Sequence, residues 1–219
     1  MSLGYWASSH VAAGGAAFSF TGSGVTTASG TVRTASGVNF GPAAANRVLI
    51  VAIGTRVALG SQISSVTVGG VAATIDVRTS NWPVAVIARA SVPTGTSGDV
   101  VFTYVGGEIG QPMVAVYSAI GAVTVDSTGA NGASGTAGLT VALTNSAGSA
   151  FVAVAAVSVD GPTFTWSGES VVVDATLSGA SQSNASFVSS DNASVNASIT
   201  STVSQATWHG VAAATYTIT

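Results

Sequence analysis

Few residues of this sequence could carry acid–base or metal chemistry. The chain has two histidines, His10 and His209, and no cysteine. A Ser-His-Asp triad is formally possible, but serine and aspartate are so common here that their presence carries no weight. No Gly-x-Ser-x-Gly elbow occurs, and two histidines cannot form a three-histidine zinc site. The sequence therefore predicts no catalytic residue, no metal and no cofactor.

Paired carboxylates are the other common catalytic arrangement, and they are used by glycosidases. Most of the eight acids fall in or beside predicted turns, and no Asp-x-Asp-x-Asp loop suggests a calcium site. These acids are Asp76, Asp99, Glu108, Asp126, Asp160, Glu169, Asp174 and Asp191. We expect them to serve turns and solvent-facing positions, and we predict that the protein is not an enzyme.

Aromatic side chains are the remaining candidates for binding, because exposed rings stack on sugars. Trp82 lies in the turn-like run Ser-Asn-Trp-Pro, and Tyr5 and Trp6 lie near the N-terminus. We predict these three as binding residues. Trp166 and Trp208 lie within or at the start of predicted strands, so we expect them in the core.

Charge is the most informative feature of the composition. Only 6% of the residues are charged, the net charge is −3, and all five cations are arginine. A globular domain usually has about 25% charged residues. Nucleic acids and anionic membrane surfaces need clustered cations, so neither is an expected partner. The longest apolar runs, residues 47–53 and 151–159, have the length of strands, so membrane insertion is not expected either.

The elements that must position these residues are strands. Apolar residues alternate with period two through residues 66–71, 84–88, 100–104 and 114–118, and Gly-, Ser-, Asn- and Pro-rich turns recur every 8–12 residues. Residues 151–154 and 170–173 are typical of strands buried on both faces. We predict an all-β, antiparallel double-sheet sandwich, jelly-roll-like and without helix.

The second half of the chain echoes the first. Residues 66–76 align without a gap on residues 164–174, which pairs Asp76 with Asp174, and strands ending near Tyr117 and Tyr216 close the two halves. We predict a body of residues 25–219 built from two quasi-repeats, about 38–126 and 136–219, in one double-sheet unit. Two separate immunoglobulin-like sandwiches are the alternative.

Residues 1–24 differ from the body, because they are uncharged and rich in small residues. We predict an N-terminal arm that lies on the body or docks on a neighbouring subunit through Tyr5 and Trp6. The first residues have no basic region followed by an apolar run, so no secretory signal is expected. A virion protein that is assembled in the bacterial cytoplasm and released by lysis would combine a weakly charged, cysteine-free body with the absence of a secretory signal.

Three motifs occur in order: NRVLIVA at 46–52, ISSVTVGGVAAT at 63–74 and SVPTGTSGDVV at 91–101. In this order they resemble a group of uncharacterised proteins of tailed bacteriophages and prophages of alphaproteobacteria. The resemblance covers residues 38–120 well and the C-terminal half loosely. It implies a virion-associated β-sandwich and supplies no catalytic residues.

Three functions are compatible with these observations. The first is a non-enzymatic virion surface protein, either a head decoration or a fibre or spike subunit, whose partners are its own copies and other virion proteins. The second is a carbohydrate-binding module for host surface polysaccharide. The third is a secreted bacterial adhesin domain. We favour the first, and we expect a dimer or trimer because weakly charged sheet edges without lysine tend to associate.

Overall fold

The computed structural model describes residues 10–11, 17–26, 30–56, 60–80, 83–106, 110–134, 138–159, 161–179, 183–205 and 208–219. About 70% of the chain is strand, and no helix occurs in these ranges. The strands are β1 (His10–Val11), β2 (Ala17–Val25), β3 (Val32–Asn39), β4 (Arg47–Thr55), β5 (Gln62–Val68), β6 (Val71–Ala72), β7 (Thr74–Arg78), β8 (Val84–Ser91), β9 (Ser97–Val105), β10 (Met113–Ile120), β11 (Val123–Ser134), β12 (Gly138–Ala142), β13 (Ala150–Val157), β14 (Phe164–Gly168), β15 (Val172–Gly179), β16 (Ser183–Ser190), β17 (Ser198–Val203) and β18 (Trp208–Ile218). The all-β prediction is confirmed.

The described strands form four antiparallel sheets. The first inner sheet has the order β1-β2-β10-β4-β8-β7, and the first outer sheet has the order β3-β9-β5-β6. The second inner sheet has the order β11-β18-β13-β16-β15, and the second outer sheet has the order β12-β17-β14. Residues up to 120 build the first pair of sheets, and residues from 123 onward build the second pair.

Three large apolar cores separate four layers, and a fourth, small cluster contains Val157, Val159 and Val203. One core lies between the first outer and first inner sheets, and another lies between the second inner and second outer sheets. The third lies between the two inner sheets. On β4, Leu49 and Val51 face the first outer sheet, whereas Ile50 and Ala52 face the second inner sheet. The central strands of the inner sheets, such as β4 and β13, are therefore buried on both faces, which explains their continuous apolar runs.

The double-sheet prediction has two sheets, whereas the described strands form four. The number is higher because each half of the chain forms its own pair of sheets. Apart from β1, which has no counterpart among the described strands of the second half, the strand order of the two inner sheets is the same. The closing strand (β10 or β18) lies between the first long strand (β2 or β11) and the most apolar strand (β4 or β13), and two further strands lead to the opposite edge. A repeat would produce this likeness of strand order, but the likeness alone does not establish a repeat. The quasi-repeat therefore stays a prediction. The strand orders support a β-sandwich without establishing the jelly-roll connectivity.

Two strand predictions have different outcomes. Residues 151–154 are fully buried on both faces of β13, as expected. Residues 170–173 are not, because Val172 and Val173 are 50% and 56% exposed. The reason is position, since β15 is an edge strand that pairs only with β16 among the described strands. A run of valines predicts a strand but does not say whether it lies in the middle or at the edge of a sheet.

Part of the predicted N-terminal arm belongs to the body. Ala17–Val25 forms β2, which pairs with β10 along its whole length. Phe18 is buried in the core between the inner sheets, and Gly22 packs closely against Asn39 of β3. Residues 17–25 are therefore a strand of the first inner sheet, while residues 1–9 and 12–16 lie outside the described residues.

Candidate functional site

The one described histidine side chain is enclosed in the protein. His209 has no exposed surface, and its Nε2 atom lies 3.2 Å from Oγ of Ser201, which is also fully buried. The Nδ1 atom, where a triad aspartate would accept, has no hydrogen-bond partner in the described structure. Burial lowers the pKa of His209 to about 4, so the ring is neutral at pH 7. A substrate has no access to this Ser–His pair.

Several carboxylates accept hydrogen bonds from backbone amides. Asp126 accepts hydrogen bonds from the amide of Ser146 and the hydroxyl of Ser149, at 2.8 and 2.9 Å. Asp99 accepts from the amide of Gly37 at 3.0 Å. Glu169 is buried and accepts from the amide of Ser194 at 3.2 Å. Among the described residues, no three His, Asp or Glu side chains form a group that could hold a metal ion.

The first and third sequence motifs meet at Arg47. This side chain has no exposed surface, and its guanidinium donates to six backbone carbonyl oxygens at 2.7–3.3 Å. These acceptors belong to Phe40, Gly41, Pro42, Val92, Thr94 and Gly95. Arg47 therefore ties the loop before β4 to the Val-Pro-Thr-Gly loop after β8. The motif arginine has a structural role.

The glycines of the second and third motifs make room for Phe40. A Cβ atom on Gly98 would lie 2.7 Å from Cε2 of the Phe40 ring, and one on Gly69 would lie 3.2 Å from the same atom. Gly69 also has a φ of +57°, in the left-handed region that favours glycine. The three motifs thus build one loop cluster around Arg47 and Phe40.

Two tyrosine–aspartate pairs join the halves across the inner sheets. Tyr117 of β10 donates to Oδ2 of Asp174 on β15 at 3.0 Å, and Tyr216 of β18 donates to Oδ2 of Asp76 on β7 at 2.9 Å. Both aspartates lie at β-bulges of edge strands. Burial and the adjacent carboxylate raise the pKa of both tyrosines well above the usual value, so both hydroxyls stay protonated.

The carboxylate of Asp76 also binds an arginine. Nε of Arg89, on β8, lies 3.0 and 3.1 Å from the two carboxylate oxygens of Asp76. Burial raises the pKa of Asp76, while Tyr216 and Arg89 act in the opposite direction.

A surface groove of about 330 Å³ lies beside Asp174. Its walls are residues 18–20 of β2, residues 170–172 and Asp174 around the start of β15, and residues 189–192 at the end of β16. The ring of Phe18 stacks on Tyr117 with centroids 5.6 Å apart, and Phe20 meets Tyr117 edge-on at 5.7 Å. The groove therefore combines two carboxylates, from Asp174 and Asp191, with serine hydroxyls and aromatic rings.

The predicted binding residues Tyr5, Trp6 and Trp82 lie outside the described residues. Trp166, which was predicted in the core, is half-buried: it packs against the core between the second inner and second outer sheets and donates to Oγ of Ser186 at 3.0 Å. Asp174 was assigned to a turn or solvent-facing position, and its place in the groove was missed. The alignment of residues 66–76 with residues 164–174, which pairs Asp174 with Asp76, was the one sequence feature that could have drawn attention to Asp174.

No family model, curated protein or solved structure matches the chain. Within the described residues, no helix is long and apolar enough to cross a membrane. The groove beside Asp174 and the adjoining edge of β15 are two described surfaces that another molecule could contact.

Proposed function

We propose that this chain is a non-enzymatic structural protein on the surface of a bacteriophage virion, as a head decoration or as a fibre or spike subunit. Its work is to make contacts with copies of itself and with other virion proteins. The observation that carries the proposal is the edge of β15, an eight-residue strand that pairs on one side only among the described strands and exposes two valines.

An edge of this kind favours strand addition. Backbone N–H and C=O groups along it can pair with a further strand, and natural monomers usually block such edges with lysine, proline or a bulge. The eight residues of β15 contain neither lysine nor proline. The strand has one bulge, at Asp174, and residues 175–179 beyond it keep a regular register with β16. Asp174 is the one charged residue of the strand, and it accepts a hydrogen bond from Tyr117. An added strand would cover Val172 and Val173 and remove apolar surface from water.

Low surface charge supports assembly in a second way. Only 6% of the chain is charged, and Arg33, Arg47 and Glu169 are buried within the protein. Subunit contacts over such a surface desolvate few ions, and depletion of charge is typical of interface cores.

The motif resemblance over residues 38–120 agrees with this proposal. The motif residues that the structure explains, Arg47 with its loops and Phe40 with its glycines, stabilise a loop cluster and have no catalytic arrangement. A shared motif of this kind is what a family of structural proteins would retain.

Mass spectrometry of phage particles tests the proposal. Particles from a lysate of the host that carries this gene are purified on a density gradient. We expect the chain in the particle fraction in many copies, at a constant ratio to the major capsid protein across the peak. Recovery only from the soluble fraction would contradict the proposal.

A further inference from the structure

One buried titratable group takes no part in the role proposed above. His209, on β18 of the second inner sheet, has no exposed surface, and its Nε2 atom lies 3.2 Å from Oγ of Ser201 on β17. Strand β17 is the central strand of the second outer sheet. The histidine–serine pair therefore crosses the core of the second half and joins its two sheets directly.

Apolar side chains surround this polar pair. Val211, two residues further along β18, and Ile199 of β17 lie in the core between the two sheets. Val203, on the other side of Ser201, belongs to the small apolar cluster. Nδ1 of His209 has no hydrogen-bond partner in the described structure. A second proton on this ring would therefore place an unpaired charge in apolar surroundings, which costs free energy.

No described carboxylate faces His209 from the second half. Strands β12, β13, β14, β16 and β17 contain no acidic residue. Asp126 of β11 lies beside the residue that pairs with Tyr216, towards the opposite end of β18. The other described acids of this half contact other groups or lie beyond these strands: Glu169 accepts from Ser194, Asp174 accepts from Tyr117, and Asp191 follows the end of β16, whereas His209 is level with its beginning.

The opposite face of β18 packs against β7 and β8 of the first half. The charged groups of those strands have partners of their own there. Arg89 binds Asp76, and Arg78 donates to the carbonyl oxygen of Ile63. Asp160 lies outside the described residues, so the experiment below includes it.

An open form of this core would take up a proton more readily than the closed form. Burial lowers the pKa of His209 to about 4, whereas a histidine in water has a pKa of about 6.5. The closed form is therefore fully favoured above pH 6.5, and that preference is lost as the pH falls towards 4.

The second outer sheet is the element that can move. It consists of three strands of five or six residues, and one of its faces is exposed or half-buried. The second inner sheet, by contrast, is held on its other face by the core between the inner sheets. Small peripheral units open at a lower free energy than central ones. Separation at β17 would bring water to His209 and leave the inner sheets packed.

We propose that protonation of His209 separates the second outer sheet from the second inner sheet in acid, while the other three sheets stay folded. The separated form exposes apolar side chains of β13 and β18, among them Phe151 and Val211. The fold thus contains an acid-sensitive device that creates apolar surface, and this device goes beyond the virion role proposed above.

Hydrogen exchange of the full ¹⁵N-labelled chain at pH 7 and pH 4.5, followed by NMR, tests this proposal. Protection factors compare each amide with an unstructured chain, so the intrinsic pH dependence of exchange cancels. We expect protection in β12, β14 and β17 to fall on the order of 50-fold, because opening takes up one proton between the two pKa values. Protection in β9 and β13 should fall by less than about threefold, since these strands stay paired.

Three variants assign the effect to one residue. His209→Gln removes the titrating group and keeps a polar side chain beside Ser201, so the fall in protection should disappear. The matched control is His10→Gln, the same substitution on β1 of the first half, and it should keep the full fall. Asp160→Asn should keep it as well. A fall altered by Asp160→Asn would reveal a counter-ion for the histidine and contradict the proposal.

The imidazole ring supplies a measurement that needs no variant to fold. Its carbon–proton signals are followed by NMR as the pH is lowered. Titration of His209 near its ordinary pKa, with protection of β17 unchanged, would overturn the proposal, because the closed core would then tolerate the charge. Equal loss of protection in all four sheets would mean global unfolding, and an equal fall in His209→Gln would exclude the histidine. Particle composition tests the virion role separately, so the two failures are distinguishable.

Discussion

Arg47 holds its guanidinium among six carbonyl oxygens with no surface exposed. Lysine has a single ammonium with three donors, so it cannot reach both loops. We expect Arg47→Lys to reduce the free energy of unfolding by at least about 3 kcal/mol, since buried carbonyls lose their donors. Urea denaturation measures the change. Arg78→Lys is the matched control at an exposed position, and an equal effect of both substitutions would contradict this role for Arg47.

His209 predicts a pH dependence of stability. Its pKa is about 4 in the folded protein because of burial, against about 6.5 when unfolded. The unfolded chain therefore takes up the proton first as pH falls, and stability that is fully present above pH 6.5 is lost towards pH 4. The expected loss is on the order of 3 kcal/mol. Asp76, whose pKa is raised, has the opposite effect at low pH.

The contribution of His209 to the pH dependence of stability is measured by comparison with His209→Gln, which retains a polar group beside Ser201. Urea denaturation of both proteins at pH 7 and pH 4.5 should show a smaller loss of stability in the variant. Parallel pH profiles would mean that the histidine does not titrate in this window.

Single residues were the hardest level to predict from the sequence. Asp99 and Asp126 were expected in or beside turns; the structure places them within β9 and β11, where they accept hydrogen bonds from the amides of Gly37 and Ser146. Arg47 could not be distinguished from a surface arginine in the sequence. Its partners are backbone carbonyl oxygens, which every residue type has, so no particular neighbouring residue indicates them. Asp174 was aligned with Asp76, but the groove depends on β2 and β16, which are remote in the chain.

At the scale of elements, the two inner sheets pack so closely at Gly54 that one added methyl group would be overpacked. A Cβ atom on Gly54 of β4 would collide with Cβ of Ala185 on β16 and would lie 3.4 Å from Cβ of Ala156. We expect Gly54→Ala to destabilise the protein by about 1–3 kcal/mol through overpacking. Adding Ala185→Gly to that variant removes the opposing methyl group and should restore much of the loss.

A double-mutant cycle measures this coupling by thermal or urea unfolding. The single variants and the double variant should give a favourable interaction energy of at least about 1 kcal/mol. Additive effects would mean that the two strands do not touch at this point, and the contact between the inner sheets would need revision.

The edge of β15 carries the prediction of self-association. Light scattering at micromolar concentration should show an oligomer, and we expect Val173→Lys to yield a monomer, because a charge on an open edge opposes strand pairing. The control is Val105→Lys, which changes a valine that is 63% exposed on β9, a strand paired on both sides. An oligomer that survives Val173→Lys would exclude this edge as the interface.

Element type was predictable, and element position was not. Alternation and turn spacing identified the strands, because period two and Gly-rich turns are local properties. Whether a strand is central or at an edge depends on pairing across the chain, so residues 151–154 and 170–173 received the same prediction although only the first are buried.

For the whole molecule, the all-β class follows from composition and periodicity, but the number of layers does not. Four sheets result because two inner sheets, each apolar on both faces, cover one another. The sequence contained the necessary information in the unbroken apolar runs of β4 and β13, which a two-layer sandwich with one solvated face per sheet would not need.

Immunogold electron microscopy of intact phage particles is the most direct test of the proposed role. Antibodies raised against the purified chain are applied to gradient-purified particles, with particles from a strain that lacks the gene as the control. A surface structural protein predicts regular gold labelling on the head or the tail of intact particles and none on the control. Unlabelled intact particles, with the antigen found only after disruption or only in the soluble lysate, would contradict it.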